Sequence, residues 1–233
     1  MSHAVEHLIP ENEQERLAAV QRYGILDTPK DGAFDRITRL AAAILDMPIA
    51  IVTIVDHDRI WFKSAEGLEG VEEIGRDPGL CASAILADEA WVIEDAKVDP
   101  RTLANPLVAG EFGLRFYAGS ALRTSDGYNL GTLCVIDKEP RELRDDQIRV
   151  LDDLAALVVD ELELRLAARR QARHSTQLSD DVVQALALAK ASLQVGDETQ
   201  ALASLDRALD ASKRILAELA EDARDLRRTV SAG

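Results

Sequence analysis

Cysteine is almost missing from this chain of 233 residues: only Cys81 and Cys134 occur. They lie far apart in sequence, and the four histidines, His3, His7, His57 and His174, are scattered. A structural zinc site or a disulfide scaffold is therefore not expected, and a reducing compartment fits best. Long apolar runs are also lacking. The most apolar stretch, Met47 to Val55, is nine residues and contains Pro48 and Thr53, whereas a bilayer span takes about 20. Met1 to Glu15 is polar and acidic, unlike a secretion signal. The expectation is a soluble, cytoplasmic protein with no membrane partner. Positive charge is short as well, with 27 Lys and Arg against 42 Asp and Glu and a net charge of −15. Residues 1–170 hold 19 basic and 32 acidic side chains, and residues 171–233 hold 8 and 10. Such a surface repels phosphate backbones and anionic lipids, so nucleic acid is not expected as a partner.

What is present is a normal apolar share, 47%, enough to bury a core in one domain with a helical appendage. Helices are expected over Asn12 to Tyr23, stopped by Gly24, and over Phe34 to Leu45, ended by Pro48. Ile49 to Val55 is rich in β-branched residues and pairs in a hairpin with Ile60 to Ser64. Glu66 to Gly79 reads as a covering loop, Cys81 to Leu86 as a short helix, and Trp91 to Glu94 as a strand. Asp99 to Gly110 is broken by prolines and glycine. Arg115 to Leu122 and Leu130 to Ile136 form a hairpin about Thr124 to Gly127. Five or so antiparallel strands with helices at both ends make an α+β architecture.

From Leu143 the period changes. Ile148, Leu151, Ala155, Val158 and Leu162 fall on one stripe of a long helix running towards Arg170, and Ile148, Leu151, Val158 and Leu162 are expected to help pair two chains. Two further helices are expected, one carrying Leu178, Val182, Ala185, Ala189 and Leu193, the other carrying Leu202, Leu205, Leu209, Leu216 and Leu219, with a turn at Gly196-Asp197. A lone helical hairpin buries little surface, so two chains are expected to pair as a dimeric four-helix bundle. The predicted organisation is a flexible N-terminus (1–12), a sensory domain (13–165), a helical linker (166–177), a dimerisation hairpin (178–228) and a tail (229–233).

Ile25-Leu26-Asp27-Thr28-Pro29, Trp61-Phe62-Lys63-Ser64, Cys81-Ala82-Ser83-Ala84-Ile85, Arg115-Phe116-Tyr117-Ala118-Gly119 and Gly131-Thr132-Leu133-Cys134-Val135-Ile136-Asp137 stand in an order that resembles the GAF-domain family. The resemblance implies a central antiparallel sheet, helices packed behind it, and a small-molecule pocket on the other face under the loops. The C-terminal hairpin more loosely resembles the dimerisation and phosphoacceptor hairpin of sensor histidine kinases. There the position matching Ser179 is the phosphorylated histidine; a serine hydroxyl does not form a phosphoramidate, and no ATP-binding domain follows the hairpin in this sequence. The expectation is dimerisation without kinase activity.

Nine residues are candidate ligand-binding positions: Trp61 and Trp91, in a chain with 4% aromatics; Tyr117, which strand alternation sends to the face opposite Phe116; Arg76 and Asp77 in the covering loop; Cys81 just after it; Asp95 at a strand end; and Thr132 and Cys134, which share a face. Cys81 is followed by Ala82 rather than the histidine of bilin-attaching relatives, which argues against a tetrapyrrole. Buried free cysteines act as small hydrophobes, and Cys81 and Cys134 form a redox pair only if the fold brings them together. No catalytic residue and no metal ligand is assigned, and the cofactor is unknown.

Three functional readings follow. The leading one is a cytosolic signalling protein whose sensory domain binds a small ligand and acts through the long helix on the bundle. The second is a ligand-independent partner of a histidine kinase or a response regulator. The third is a thiol enzyme like free methionine sulfoxide reductase, which relies on three cysteines where only two exist here. No Ser-His-acid set, phosphate loop or HExxH motif appears either.

Overall fold

A computed structural model describes the backbone of residues 9–231 and the side chains of residues 9–172, 176 and 180–217. The chain divides into two compact units, a head ending at Leu166 and a tail beginning at Ala167. The head opens with helix α1 (Glu13–Tyr23), closed by Gly24 in the left-handed conformation, and helix α2 (Gly32–Leu45). The Asp31 carboxylate caps α2 by accepting from the Ala33 amide. Strands β1 (Ile49–Val55), β2 (Arg59–Glu66), β3 (Glu73–Gly75), β4 (Trp91–Ile93), β5 (Phe116–Arg123) and β6 (Asn129–Asp137) form one antiparallel sheet in the order β3-β2-β1-β6-β5-β4. The architecture is α+β, with flanking helices. The covering loop contributes a sixth, three-residue strand, β3, too short to show periodicity in sequence. Two short helices, α3 (Cys81–Ala84) and α4 (Pro106–Ala109), lie in the stretches flanking β4, and Asn105 caps the second.

Every residue of β1 is buried, because both faces of the sheet are covered. One face packs Ala50, Val52 and Ile54 against Phe34, Ala41 and Leu45 of α2, together with Leu151, Val158 and Leu162. The other packs Ile49, Ile51 and Val55 with Leu80, Cys81, Tyr117 and Cys134. Alternation sorts Phe116 to the first face and Tyr117 to the second.

Helix α5 (Asp145–Gln194) runs through the point where a separate helix was expected to begin; nothing in residues 166–177 breaks it, since neither proline nor glycine occurs there. The stripe of Ile148, Leu151, Val158 and Leu162, expected to pair two chains, is used inside the head. Leu151 and Val158 are wholly buried, Leu162 nearly so, and Ile148 packs against the same cluster. An apolar stripe on a helix looks alike whether a sheet or a second helix covers it.

In the tail, α5 turns at Gly196 into α6 (Glu198–Ser231). Small side chains are the buried ones: Ala185 and Ala189 on α5, and Ala201, Ser204, Ala208 and Ala211 on α6. Leu193, Leu202, Leu205, Leu209 and Leu216 are 42–67% exposed, and Val182 is half-buried. Leu178, Ser179, His174 and Leu219 lie outside the residues whose side chains are described.

Candidate functional site

The face of the sheet opposite α2 brings five of the nine candidate ligand-binding residues together. The register sets them in rows: Trp91 opposite Gly119, Gly119 opposite Cys134, and Cys134 opposite Ile51. The next row places Thr132 between Ala121 and Thr53. Tyr117 precedes Gly119 by two positions and so shares its face; its ring lies along the strand, and a Cβ on residue 119 would sit 2.4 Å from the phenol oxygen. Glycine at 119 is what lets the tyrosine lie down. The ring then meets Trp91 edge to face at 5.5 Å between centroids. Arg101 stacks on the other ring of the pair, 5.2 Å from the centroid of Trp91, while its guanidinium donates to the Val92 carbonyl and pairs with Asp99.

Cys81, the first residue of α3, lies against the centre of this face, with its sulfur 3.9 Å from that of Cys134. The Tyr117 hydroxyl donates to the Cys81 sulfur at 3.4 Å. The hydroxyls of Thr53 and Thr132 bond each other at 2.9 Å in the adjoining row. Both thiols and the phenol are buried. Hydrogen bonding from Cys134, with smaller help from Thr132, Tyr117 and Thr53, lowers the Cys81 thiol from its ordinary value against the opposing effect of burial. The bond to Cys81 and burial push Cys134 up. Burial raises Tyr117 well above the usual tyrosine value.

The other four candidates lie elsewhere. Trp61 is on the α1–α2 side of the sheet, because β2 sends Ile60 and Phe62 to the Cys81 face and Trp61 to the opposite one. Arg76 pairs with Glu13 of α1 at 2.5 Å and donates to the Asp56 and His57 carbonyls. Asp77 is exposed. Asp95 is held in a two-pronged ion pair with Arg115, at 2.7 and 2.6 Å.

The sequence reading missed a charged cage on the helix-covered face. The β1–β2 register shifts between Val52 and Thr53, so that Lys63 is the extra residue, and it turns with Ser64 towards α2. The Lys63 ammonium is 99% buried, donates to the Thr28 hydroxyl at 3.0 Å and the Pro29 carbonyl at 2.5 Å, and pairs with Asp31 at 3.0 Å. It also lies 5.3 Å from the centroid of the Phe34 ring. Arg165 of α5 grips the same Asp31 carboxylate in a fork, at 2.7 and 2.8 Å. Those bonds hold Asp31 below the usual carboxylate range, Arg165 acting more strongly than Lys63. Two residues earlier, Glu163 accepts from Tyr23 at 2.6 Å and from Ser125 at 2.9 Å. The signal available in sequence was a lysine interrupting the buried strand Trp61-Phe62-Lys63-Ser64.

The profile of the GAF domain matches residues 30–162. This chain belongs to the GAF domain family. The chain is 42% identical over 151 residues to a cyclic di-GMP phosphodiesterase of Pseudomonas aeruginosa; the match takes in 64% of this chain and 26% of that protein, so the chain spans about a quarter of the relative's length. Among solved structures, the GAF domain of an Acinetobacter phosphoenolpyruvate-protein phosphotransferase superposes with a TM-score of 0.50 at 17% identity, covering 68% of this chain and 97% of the other. A free methionine-R-sulfoxide reductase of Neisseria meningitidis superposes with a TM-score of 0.47 at 19% identity, covering 68% and 90%. Among the described residues no group of three or more His, Cys, Asp or Glu side chains is placed to hold a metal ion. No helix among them is long and apolar enough to cross a membrane.

Proposed function

We propose that this chain is a signalling unit in which a GAF domain senses a small ligand and a helical hairpin joins two copies, with no kinase chemistry of its own. The observation that carries the reading is the leucine stripe of α6. The hairpin packs its own two helices through alanines and a serine, and leaves Leu202, Leu205, Leu209 and Leu216 at 42–67% exposure. Spaced by three, four and seven residues, they form a coiled-coil seam in need of a partner. Burying a fully exposed leucine stabilises by roughly 1.5–3 kcal/mol, and these are about half exposed, so four on each of two chains contribute an amount of the same order as the cost of association.

The sensing half is supported by membership of the GAF family and by the relative's part in cyclic di-GMP turnover. The link between the halves is α5, anchored to the head through Arg165–Asp31 and Glu163–Tyr23 and uninterrupted from Asp145 to Gln194. A ligand that binds one arrangement of this helix against its dimer mate more tightly biases the hairpin towards it, by as much as its affinities for the two arrangements differ.

Two measurements test the reading. Sedimentation at micromolar concentration should give twice the chain mass of 25.4 kDa, and a single-chain species overturns the dimer. Native mass spectrometry of protein purified from its host should show a retained small molecule on the dimer. Ligand-free protein whose hydrogen exchange in 167–217 is unaltered by saturating amounts of that molecule contradicts transmission.

A further inference from the structure

Most of the second sheet face is aliphatic, and the Cys81–Cys134 pair departs from that pattern. The sulfurs sit at 3.9 Å, in contact. Hydroxyls stand beside them among the aliphatic neighbours: Tyr117 on Cys81 at 3.4 Å, and the Thr53–Thr132 pair at 2.9 Å in the neighbouring row. A cysteine acting only as a small hydrophobe has no use for such a shell. The two thiols also differ in access, since Cys81 retains 6% exposure and Cys134 none. Their supports differ too: Cys134 is in the central strand β6, while Cys81 opens the four-residue α3, which is set between loops.

We propose that Cys81 and Cys134 are a modification site, a dithiol that a hydroperoxide oxidises reversibly to an intrachain disulfide. In the first step the Cys81 thiolate attacks one peroxide oxygen. The S–O bond forms as the O–O bond breaks, and the leaving oxygen departs as water or an alcohol after taking up a proton. In the second step the Cys134 sulfur attacks the Cys81 sulfenic acid; the S–S bond forms, the S–O bond breaks, and the hydroxyl leaves as water with the proton from Cys134. Two thiols lose two electrons and the peroxide gains them. The order follows from the structure: Cys81 is the residue of the two that keeps some solvent exposure, and the surrounding hydrogen bonds favour its thiolate and disfavour that of Cys134. A disulfide needs the sulfurs at about 2.05 Å, so closure draws them together by about 2 Å. That displaces the atom on which the Tyr117 hydroxyl rests, and Tyr117 packs on Trp91. The inference stands whether or not a ligand binds or the hairpin dimerises.

The test uses the whole reduced chain and hydrogen peroxide, read by intact mass and by non-reducing peptide mapping. The expected result is a loss of about 2 Da, a peptide joining Cys81 to Cys134, and full reversal by dithiothreitol. In Cys134→Ser the sulfenic acid should persist on Cys81 and be captured by dimedone. In Cys81→Ser, capture at Cys134 should fall at least about tenfold. Two thiols still free after peroxide, a sulfinic acid on Cys81 without a bridge, or bridging only between chains would each overturn the proposal. Should either variant fail to fold, the wild-type mass and peptide map alone decide.

Discussion

The two apolar stripes of this protein have the same spacing and opposite uses. Leu151, Val158 and Leu162 of α5 are buried within the head, while Leu202, Leu205, Leu209 and Leu216 of α6 are left exposed in the tail. The head puts its large side chains inside because a six-stranded sheet offers a broad apolar face to fill. The tail puts alanines inside, which lets two helices approach closely but removes little apolar area from water. The contrast teaches that periodicity reports which side of a helix is apolar and says nothing about what covers it.

The strongest way to break the comparison is to cut both stripes alike. Leu151→Ala should cost the head about 2–5 kcal/mol, because the site is closed on all sides. Leu205→Ala should leave the head's urea transition within about 0.5 kcal/mol of wild type; equal effects would show that the stripes are not used differently. Next is the cage. Lys63→Ala strips the donor from Thr28, Pro29 and Asp31 and should cost about 2–4 kcal/mol by denaturant unfolding, less than a bare buried charge would because Arg165 still holds Asp31.

Gly119→Ala places a methyl group against the Tyr117 phenol and should cost about 1–3 kcal/mol, largely recovered when combined with Tyr117→Leu. In the tail, Leu205→Glu with Leu209→Glu should abolish the dimer while the head's unfolding midpoint stays put, checked by sedimentation and thermal melting. A double variant that still sediments as a dimer would move the seam elsewhere.

The smallest effect is electrostatic. Burial alone would raise the Glu13 carboxyl, but the hydrogen bonds and charges of Arg16 and Arg76 win and bring it from 4.5 to about 2. A folded value below the unfolded one means stability that is complete above about pH 4.5 and is lost as the pH falls towards 2. Glu13→Gln should therefore flatten the head's stability profile in that window, by on the order of 1 kcal/mol once solvent screening is allowed for, with no change at pH 7 to 8 in the slope.

Much of the head was legible. The strands β1, β2, β5 and β6 and the helices α1 and α2 follow from runs of β-branched residues, helical spacing and the stops at Gly24 and Pro48. Alternation also gave the correct separation of Phe116 from Tyr117 and the shared face of Thr132 and Cys134. Trp61 was misplaced because proximity in sequence to the covering loop was given more weight than its parity in β2. Lys63 has the parity of Trp61 and went with it; what only the structure shows is the bulge that brings Ser64 to the same side, which leaves no mark in composition. The Arg76–Glu13 pair was not legible because its partners are 63 positions apart.

By itself the sequence determined the α+β class, the family, the excess of negative charge and the apolar side of every long helix, since these rest on local spacing and residue type. Only the tertiary structure decided which of two like stripes is core, which charges are sealed together at Asp31, and that two cysteines 53 residues apart have sulfurs 3.9 Å from each other. Contacts of that kind depend on strand order and register, and these are set by how the whole sheet closes rather than by any one segment.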